Sequence, residues 1–191
     1  MPFLYFFVSK KAETALCEDY QQEIITKLGI PLLGKVSRFA DIFDYIMQIA
    51  KQQPITLFID EFQEFLRINA SIYSDMQRIW DLHKNEVHIN LIVGGSVQSL
   101  IHKIFESNKE PLYNRQTAII RVNKFPPSVL KEILAYHNPN YTQDDLLALY
   151  SFTGGVAKYV ELLMDKGATT RSKMIETIVQ ADSVFLSEGK N

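Results

Sequence analysis

The strongest constraint on the fold of this chain is a short apolar run that ends in two adjacent acids, residues 55–61 (Ile-Thr-Leu-Phe-Ile-Asp-Glu). A run this hydrophobic, preceded by Pro54, predicts a strand that is buried on both faces, and such strands lie at the centre of parallel sheets. Open α/β sheets bind their ligands at the carboxyl ends of their strands. Asp60 and Glu61 are therefore predicted at a ligand site, where one acid can support Mg²⁺ and the next can orient or deprotonate an attacking water.

Predicted strands and helices alternate along the chain as far as residue 122, and only helices follow. The strands are predicted at 1–8, 55–60, 87–93 and 117–122, and the helices between them at 13–28, 38–51, 72–83 and 98–105. Four more helices are predicted at 128–137, 142–152, 155–166 and 170–186. This pattern predicts the α/β class, with a parallel sheet flanked by helices over residues 1–125 and an all-helical lid domain over residues 126–191.

Composition excludes several classes of protein. The formal net charge of −2 provides no basic footprint for nucleic acid or an anionic membrane. Cys17 is the only cysteine, so an internal disulfide is impossible and a zinc–thiolate site is not expected. No apolar run is long enough to span a bilayer, and the apolar start at 1–8 lacks the basic flank and cleavage site of a signal peptide. We therefore expect a cytoplasmic protein that does not enter membranes.

A phosphate-binding loop is the expected companion of such an acid pair, and the sequence offers only an approximation to one. Residues 29–36 match G-x-x-x-x-G-K, but Val36 stands where the hydroxyl that binds Mg²⁺ belongs. The segment follows a predicted helix instead of a strand, and Pro31 removes a backbone donor. We interpret residues 29–36 as a chance match.

Three further residues could take part in a phosphate site, and each has a simpler interpretation. Ser96 follows the strand at 87–93. It could present its hydroxyl beside the acids, or cap the next helix. Arg115 could reach a phosphate on a neighbouring subunit, or lie solvated in its loop. Lys158 could approach phosphate from the lid, or be a surface charge.

Four segments, taken in order, resemble one family. They are 57–63 (Leu-Phe-Ile-Asp-Glu-Phe-Gln), 95–96 (Gly-Ser), 111–115 (Pro-Leu-Tyr-Asn-Arg) and 153–156 (Thr-Gly-Gly-Val). The family is that of the archaeal-type AAA+ ATPases, related to the STAND and replication-initiator ATPases. Residues 4–11 are similar to the second strand of that family, so the resemblance covers nearly the whole chain.

The resemblance implies a role for each matched residue and two cofactors, ATP and Mg²⁺. Asp60 corresponds to the Walker B acid that binds magnesium with water, and Glu61 to the catalytic base. Ser96 corresponds to the sensor at the end of the fourth core strand. Arg115 corresponds to the family's arginine, and Lys158 to the basic residue of the lid.

The chain also departs from the family pattern. Asn114 stands where a glycine usually precedes the arginine, and Ala157 replaces a proline of the lid motif. Family members carry a Walker A strand, loop and helix upstream of the second strand, and many continue into a C-terminal, often nuclease-like, domain. We therefore expect an ATPase domain that is inactive alone, with a sheet edge that favours homo-oligomers. Contact with DNA is expected only through such a further domain.

Two alternatives belong to other functional classes. The first is a protein-interaction scaffold that keeps the ATPase-like fold without catalysis, which exposed apolar surface at residues 1–8 would favour. The second is a metal-dependent hydrolase that uses Asp60, Glu61 and Glu64, which requires a further ligand from another strand end.

Overall fold

The computed structural model describes residues 1–30, 34–180 and 185. The elements of the first part are β1 (Phe3–Phe7), α1 (Glu13–Leu28), α2 (Phe39–Ala50), β2 (Ile55–Asp60), a 3-10 turn (Phe62–Glu64), α3 (Phe65–Ile68), α4 (Ser71–His83), β3 (Ile89–Val93) and α5 (Gln98–Glu106). The second part contains α6 (Pro127–His137), α7 (Gln143–Thr153), α8 (Ala157–Asp165) and α9 (Arg171–Ile178). The chain divides into two compact units at residues 119 and 120, here called the sheet unit and the helical unit. The predicted α/β class is confirmed.

The strand that ends in the two acids is the central strand of the sheet. The described residues form a parallel sheet in the order β1-β2-β3, and Leu57 of β2 stands between Leu4 of β1 and Leu91 of β3. Ile55, Leu57 and Ile59 point to one face and are fully buried. The apolar run therefore forms the central parallel strand that its composition predicts.

Helices cover one face of this sheet. The apolar faces of α1, α2 and α4 supply the residues that pack with the buried side of the strands, and Tyr20 of α1 stacks on Phe6 of β1 with ring centroids 4.1 Å apart. The main contributors are Leu16, Tyr20, Ile24, Phe39, Phe43, Ile46, Met47, Ile72, Met76 and Ile79. Their spacing of three and four residues along each helix is the period that brings side chains to a single helical face.

The opposite face of the sheet is open and apolar in the described structure. Exposed large side chains on it are Phe3 (49%), Tyr5 (41%), Phe7 (48%) and Ile92 (41%), with Phe58 partly covered between them. Parallel sheets are ordinarily covered by helices on both faces. The prediction that β2 is buried on both faces therefore holds fully for one face and only in part for the other.

The strand predicted at residues 117–122 is wrong, because the structure has no strand there. Ile119 (53%), Ile120 (87%) and Val122 (96%) are exposed. Their β-branched side chains favour a strand, but a strand also needs a hydrogen-bonded neighbour. Among the described residues β3 pairs only with β2, so its outer edge is unpaired and residues 117–122 have no strand beside them.

The helical unit has its own core, and a capping box begins α7. Thr142 accepts a hydrogen bond from the Asp145 backbone N–H, and the Asp145 carboxylate accepts one from the Thr142 N–H at 2.9 Å. Asp145 also accepts the N–H of Arg171 at the start of α9, at 2.7 Å. One buried carboxylate thus joins the starts of α7 and α9. The helix predicted at 170–186 ends at Ile178, and part of its predicted remainder lies outside the described residues.

We expect Asp145→Ala to lower the free energy of unfolding by about 2 kcal/mol at neutral pH, because it leaves the Thr142 N–H, the Thr142 hydroxyl and the Arg171 N–H without their acceptor. The hydrogen bonds from the Thr142 backbone and then the Arg171 backbone hold the pKa of Asp145 below its usual value. A depressed folded pKa stabilises the fold above the unfolded pKa of about 4 and loses that effect as the pH falls through the folded value.

Urea unfolding at neutral pH and at about pH 3 measures this difference. The difference in the free energy of unfolding between Asp145→Ala and the unmodified chain should be smaller at the lower pH. The matched control is Asp144→Ala, which removes an exposed acid from the same turn. An equal loss of unfolding free energy for Asp144→Ala and Asp145→Ala at neutral pH would contradict the prediction.

In the described part of the chain, no helix is long and apolar enough to cross a membrane.

Candidate functional site

Asp60 ends β2 on the open face of the sheet, and both of its oxygens accept hydrogen bonds. Oδ2 accepts the hydroxyl of Tyr5 on the neighbouring strand at 2.7 Å. Oδ1 accepts the backbone N–H of Glu61 at 2.9 Å. The bond to the Asp60 carboxylate raises the pKa of the Tyr5 hydroxyl, because losing the phenolic proton would place two negative charges together. The two donors fix the orientation of the Asp60 carboxylate.

Glu61 turns the chain sharply away from the strand. Its φ is +52°, in the left-handed region, and the 3-10 turn Phe62–Glu64 follows directly. Glutamate rarely adopts this conformation, and strained residues of this kind cluster at functional sites. Oε2 of Glu61 accepts the Ser96 hydroxyl at 3.0 Å and the side-chain amide of Gln63. The carboxylate is therefore held from two directions.

The turn after β3 brings Ser96 to the acids. The Gly94 carbonyl accepts the Phe62 N–H at 2.9 Å, and the Gly94 N–H donates to the Ile59 carbonyl at 2.8 Å, so this turn is tied to the end of β2. The cap of α5 is Val97, without a side-chain capping bond, so Ser96 does not take the helix-capping alternative. The structure therefore brings three predicted site residues, Asp60, Glu61 and Ser96, together at the carboxyl edge of the sheet.

Arg115 is engaged elsewhere in the sheet unit. Its guanidinium pairs with Asp81 of α4, with Nη2 at 2.7 Å from Oδ2 and Nε at 3.4 Å from Oδ1. Nη1 donates to the Pro111 carbonyl at 2.8 Å and the Tyr113 carbonyl at 3.1 Å. This arginine, chiefly, holds the pKa of Asp81 below its usual value. Arg115 is therefore neither solvated in its loop nor in contact with the acid pair.

Lys158 and the chance match at 29–36 both make contacts that need no phosphate. Lys158 lies in α8, with its side chain 66% exposed and its ammonium 2.7 Å from Glu161. Gly29 ends α1 in the left-handed conformation typical of a helix C-terminus, at φ +67°. Lys35 pairs with Glu18 at 2.7 Å. Residues 31–33 of the match lie outside the described residues.

A magnesium site at Asp60 would draw most of its ligands from outside the chain. No group of three or more His, Cys, Asp or Glu side chains in the described structure could hold a metal ion. Oε2 of Glu64, the third residue of the hydrolase alternative, lies 3.5 Å from Nη1 of Arg67. Mg²⁺ in nucleotide sites usually keeps several waters and takes one or two carboxylates plus phosphate oxygens. A single oriented carboxylate such as Asp60 fits that kind of site, and the multi-ligand hydrolase site has no support here.

Sequence reasoning missed two residues that hold the acids. Tyr5 reaches Asp60 only because β1 and β2 pair in parallel with Tyr5 opposite Phe58, and no local pattern reports that register. Gln63 is buried, although a glutamine in a sequence ordinarily indicates surface. Gln63 ends the segment 57–63 that resembles the family, but that resemblance assigns it no role.

Comparisons with known proteins identify the family and a similar fold. Residues 5–163 match the model of an ATPase domain found predominantly in Archaea. One uncharacterized protein of Methanocaldococcus jannaschii is 31% identical over 105 residues, which are 55% of this chain and 23% of that protein. A second uncharacterized protein of the same organism is 32% identical over 56 residues, which are 29% of this chain and 54% of that protein.

The fold has a solved counterpart. A Walker-type ATPase of Pyrococcus abyssi superposes with a TM-score of 0.70 at 13% identity, over 92% of this chain and 59% of the archaeal one. At that identity the likeness concerns the fold alone. The chain thus spans about a quarter to three fifths of the length of these proteins. Since the family model covers most of its residues, the chain belongs to the family of ATPase domains found predominantly in Archaea.

Proposed function

We propose that this chain carries the magnesium-binding acid and the catalytic base of an AAA+-type, ATP-hydrolysing domain. The observation that carries the proposal is the contact of Glu61 with Ser96 at 3.0 Å, which joins the ends of two adjacent parallel strands. Asp60 lies at the same edge. Ligands bind at this edge in open α/β sheets.

Asp60 and Glu61 divide the work between them in this proposal. Asp60, oriented by Tyr5, would hold Mg²⁺. Bound Mg²⁺ would neutralise the negative charge that develops on the β- and γ-phosphates. Glu61 orients the attacking water and accepts its proton, and Ser96 keeps the Glu61 carboxylate in place. Positioning and electrostatics supply nearly all of the catalysis in phosphoryl transfer, so the rigidity of these contacts is the relevant property.

Arg115 and Lys158 have conditional roles in the proposal. Arg115 would act on the γ-phosphate of a neighbouring subunit in a homo-oligomer, which requires it to leave Asp81. Lys158 would have to leave Glu161 to approach a phosphate. Both are proposed as contributors to an assembled state only. Contact with DNA is proposed only for a protein that carries a further domain.

The open face of the sheet suits the phosphate-binding part that these residues do not supply. Crossover connections between parallel strands are right-handed. The chain passes from β1 to β2 to β3 in one direction, so its connecting helices lie on one face. A helix on the open face requires a connection in the reverse direction, from a strand beyond β3 back to β1. The turn that follows such a strand would lie at the edge that holds Asp60.

A fusion tests this proposal. A Walker A strand, loop and helix of the kind that the family resemblance implies would be joined before β1, and Mg-ATP titrated by calorimetry into the fusion and the chain alone. We expect saturable binding to the fusion that Asp60→Asn weakens by about tenfold or more, as for loss of a metal-site contact. The chain alone should not saturate, because residues 29–36 are interpreted as a chance match and the sequence offers no other candidate for the amides and lysine that hold the phosphates.

If the chain is instead a non-catalytic interaction scaffold, the fusion should fold but should not bind Mg-ATP. The scaffold function is favoured by the open apolar face around Phe3, Tyr5 and Phe7, which is the type of surface that binds other proteins. A folded fusion that binds no Mg-ATP would support the scaffold and overturn the ATPase proposal. Saturable binding by the chain alone would overturn the part of the proposal that assigns the phosphate loop to another segment.

A further inference from the structure

Gln63 is a buried polar residue whose contacts the proposed ATPase function leaves unexplained. It lies in the 3-10 turn after Glu61 and is 2% exposed. Its Nε2 donates to Oε2 of Glu61. Its Oε1 is buried and has no hydrogen-bond partner among the described residues. An unpaired buried carbonyl oxygen costs stability, and an apolar side chain of similar size would avoid that cost. Core packing alone therefore does not account for an amide here.

The orientation of the amide follows from Glu61. A reversed amide would place Oε1 against the carboxylate, so that two acceptors would face each other. The observed orientation instead gives Glu61 a donor and leaves Oε1 of Gln63 unpaired. A buried unsatisfied group in a functional site is one that calls for an explanation. The explanation here is the hydrogen bond that the other end of the amide makes.

Gln63 and Ser96 together define which oxygen of Glu61 remains available. Both donate to Oε2. Oε1 of Glu61 makes no hydrogen bond to the described residues. We infer that Gln63 is a positioning residue that, with Ser96, fixes the Glu61 carboxylate and presents Oε1 as the oxygen that takes the proton of the attacking water. This inference rests on the proposed function of Glu61 as the base.

Gly95 completes the arrangement from the other side. A Cβ atom at Gly95 would collide with Oε1 of Gln63 and would lie 2.6 Å from Cδ1 of Ile101. The turn that carries Ser96 therefore leaves room for the Gln63 amide only because position 95 has no side chain. The amide is held between Glu61 and this turn, so it links the end of β2 to the end of β3.

Two variants of the full chain test the hydrogen bond itself. Gln63→Leu keeps the size of the side chain and removes the donor. Glu61→Asn shortens the acceptor side chain, and asparagine suits the positive φ at position 61. The control is Gln98→Leu, which removes an exposed side-chain amide that hydrogen-bonds the ring of His102. We expect the Gln63 side-chain N–H protons to exchange with water about tenfold faster in Glu61→Asn, because the bond to an ionised acceptor is lost.

A crystal structure and an activity measurement complete the test. In Gln63→Leu we expect the Glu61 carboxylate to move by about 1 Å, and in the fusion described above kcat to fall about tenfold with KM for ATP unchanged. Gln98→Leu should change none of these quantities. An unmoved Glu61 carboxylate, or equal exchange in Glu61→Asn, would overturn the inference. Because the exchange and the structure are measured without ATP, they decide on Gln63 even if the fusion proves inactive, which would overturn only the proposed function.

Discussion

Glu61→Gln should lower kcat for ATP hydrolysis by about a hundredfold or more in the fusion that completes the phosphate site. A positioned general base contributes on the order of a hundredfold to ten-thousandfold, and an amide cannot accept the proton of the attacking water. Glutamine keeps the size of the side chain and an oxygen that can still accept the Ser96 hydroxyl. The substitution therefore removes the basicity of residue 61 and little else.

In the same experiment, KM for ATP distinguishes the proposed role of Asp60 from that of Glu61. Because Glu61 is proposed to act on water, Glu61→Gln should leave KM for ATP nearly unchanged. Asp60→Asn should instead raise both KM and the Mg²⁺ concentration required, since Asp60 is proposed to hold the metal. Ser96→Ala should lower kcat less than Glu61→Gln does, because Gln63 still donates a hydrogen bond to Glu61.

Steady-state kinetics at several Mg²⁺ concentrations measure these differences. Full activity of Glu61→Gln would contradict the assignment of the base and would direct attention to another acceptor near the acid pair. Equal effects of Asp60→Asn and Glu61→Gln on KM would contradict the division of roles between the two acids.

The parts of the fold that the sequence predicts are those with a strong local pattern. The sequence predicts the first helix at residues 13–28, and it is observed at Glu13–Leu28. It predicts the central strand at residues 55–60, and the strand is observed at Ile55–Asp60. The apolar spacing and the stop at Gly29 are sufficient to predict the helix, and the apolar run is sufficient to predict the strand. None of these signals depends on a distant residue.

The errors and omissions involve distant partners. Residues 117–122 have strand composition, but whether they form a strand depends on a neighbour that composition does not report. The sequence is compatible with Arg115 in contact with a phosphate or with solvent, and in the structure it pairs with Asp81 because α4 lies beside its loop. The sequence predicts the acids of the candidate site, since Asp60 and Glu61 end a recognisable strand. It does not predict the donors that hold them, since Tyr5 reaches Asp60 across 55 positions of sequence.

In the helical unit, Gly155→Ala should lower the free energy of unfolding far more than the same change at the preceding glycine. Both glycines have positive φ, +54° at Gly154 and +74° at Gly155. An alanine in the left-handed region costs about 1 kcal/mol or slightly more at either position. The surroundings differ: a Cβ at Gly154 meets nothing within 4 Å, whereas a Cβ at Gly155 would collide with the carbonyl oxygen of Phe125.

That carbonyl cannot move away cheaply. The Phe125 N–H donates to the Gly155 carbonyl at 2.7 Å, so the two backbones are already bonded at this point. The Gly155 N–H in turn donates to the Thr153 hydroxyl at 3.2 Å. Relieving the collision breaks at least one of these bonds, which adds about 1–3 kcal/mol to the conformational cost. We therefore expect a loss of roughly 3 kcal/mol for Gly155→Ala and about 1 kcal/mol for Gly154→Ala.

Urea unfolding followed by circular dichroism distinguishes the two variants, with Gly154→Ala as the matched control for the positive φ. Equal losses would mean that backbone conformation alone requires glycine at this turn, and that the approach of Phe125 imposes nothing further. A larger loss at Gly155 would instead identify the paired glycines as two different requirements. The first ends α7 in the left-handed conformation, and the second admits the backbone that leads into α6.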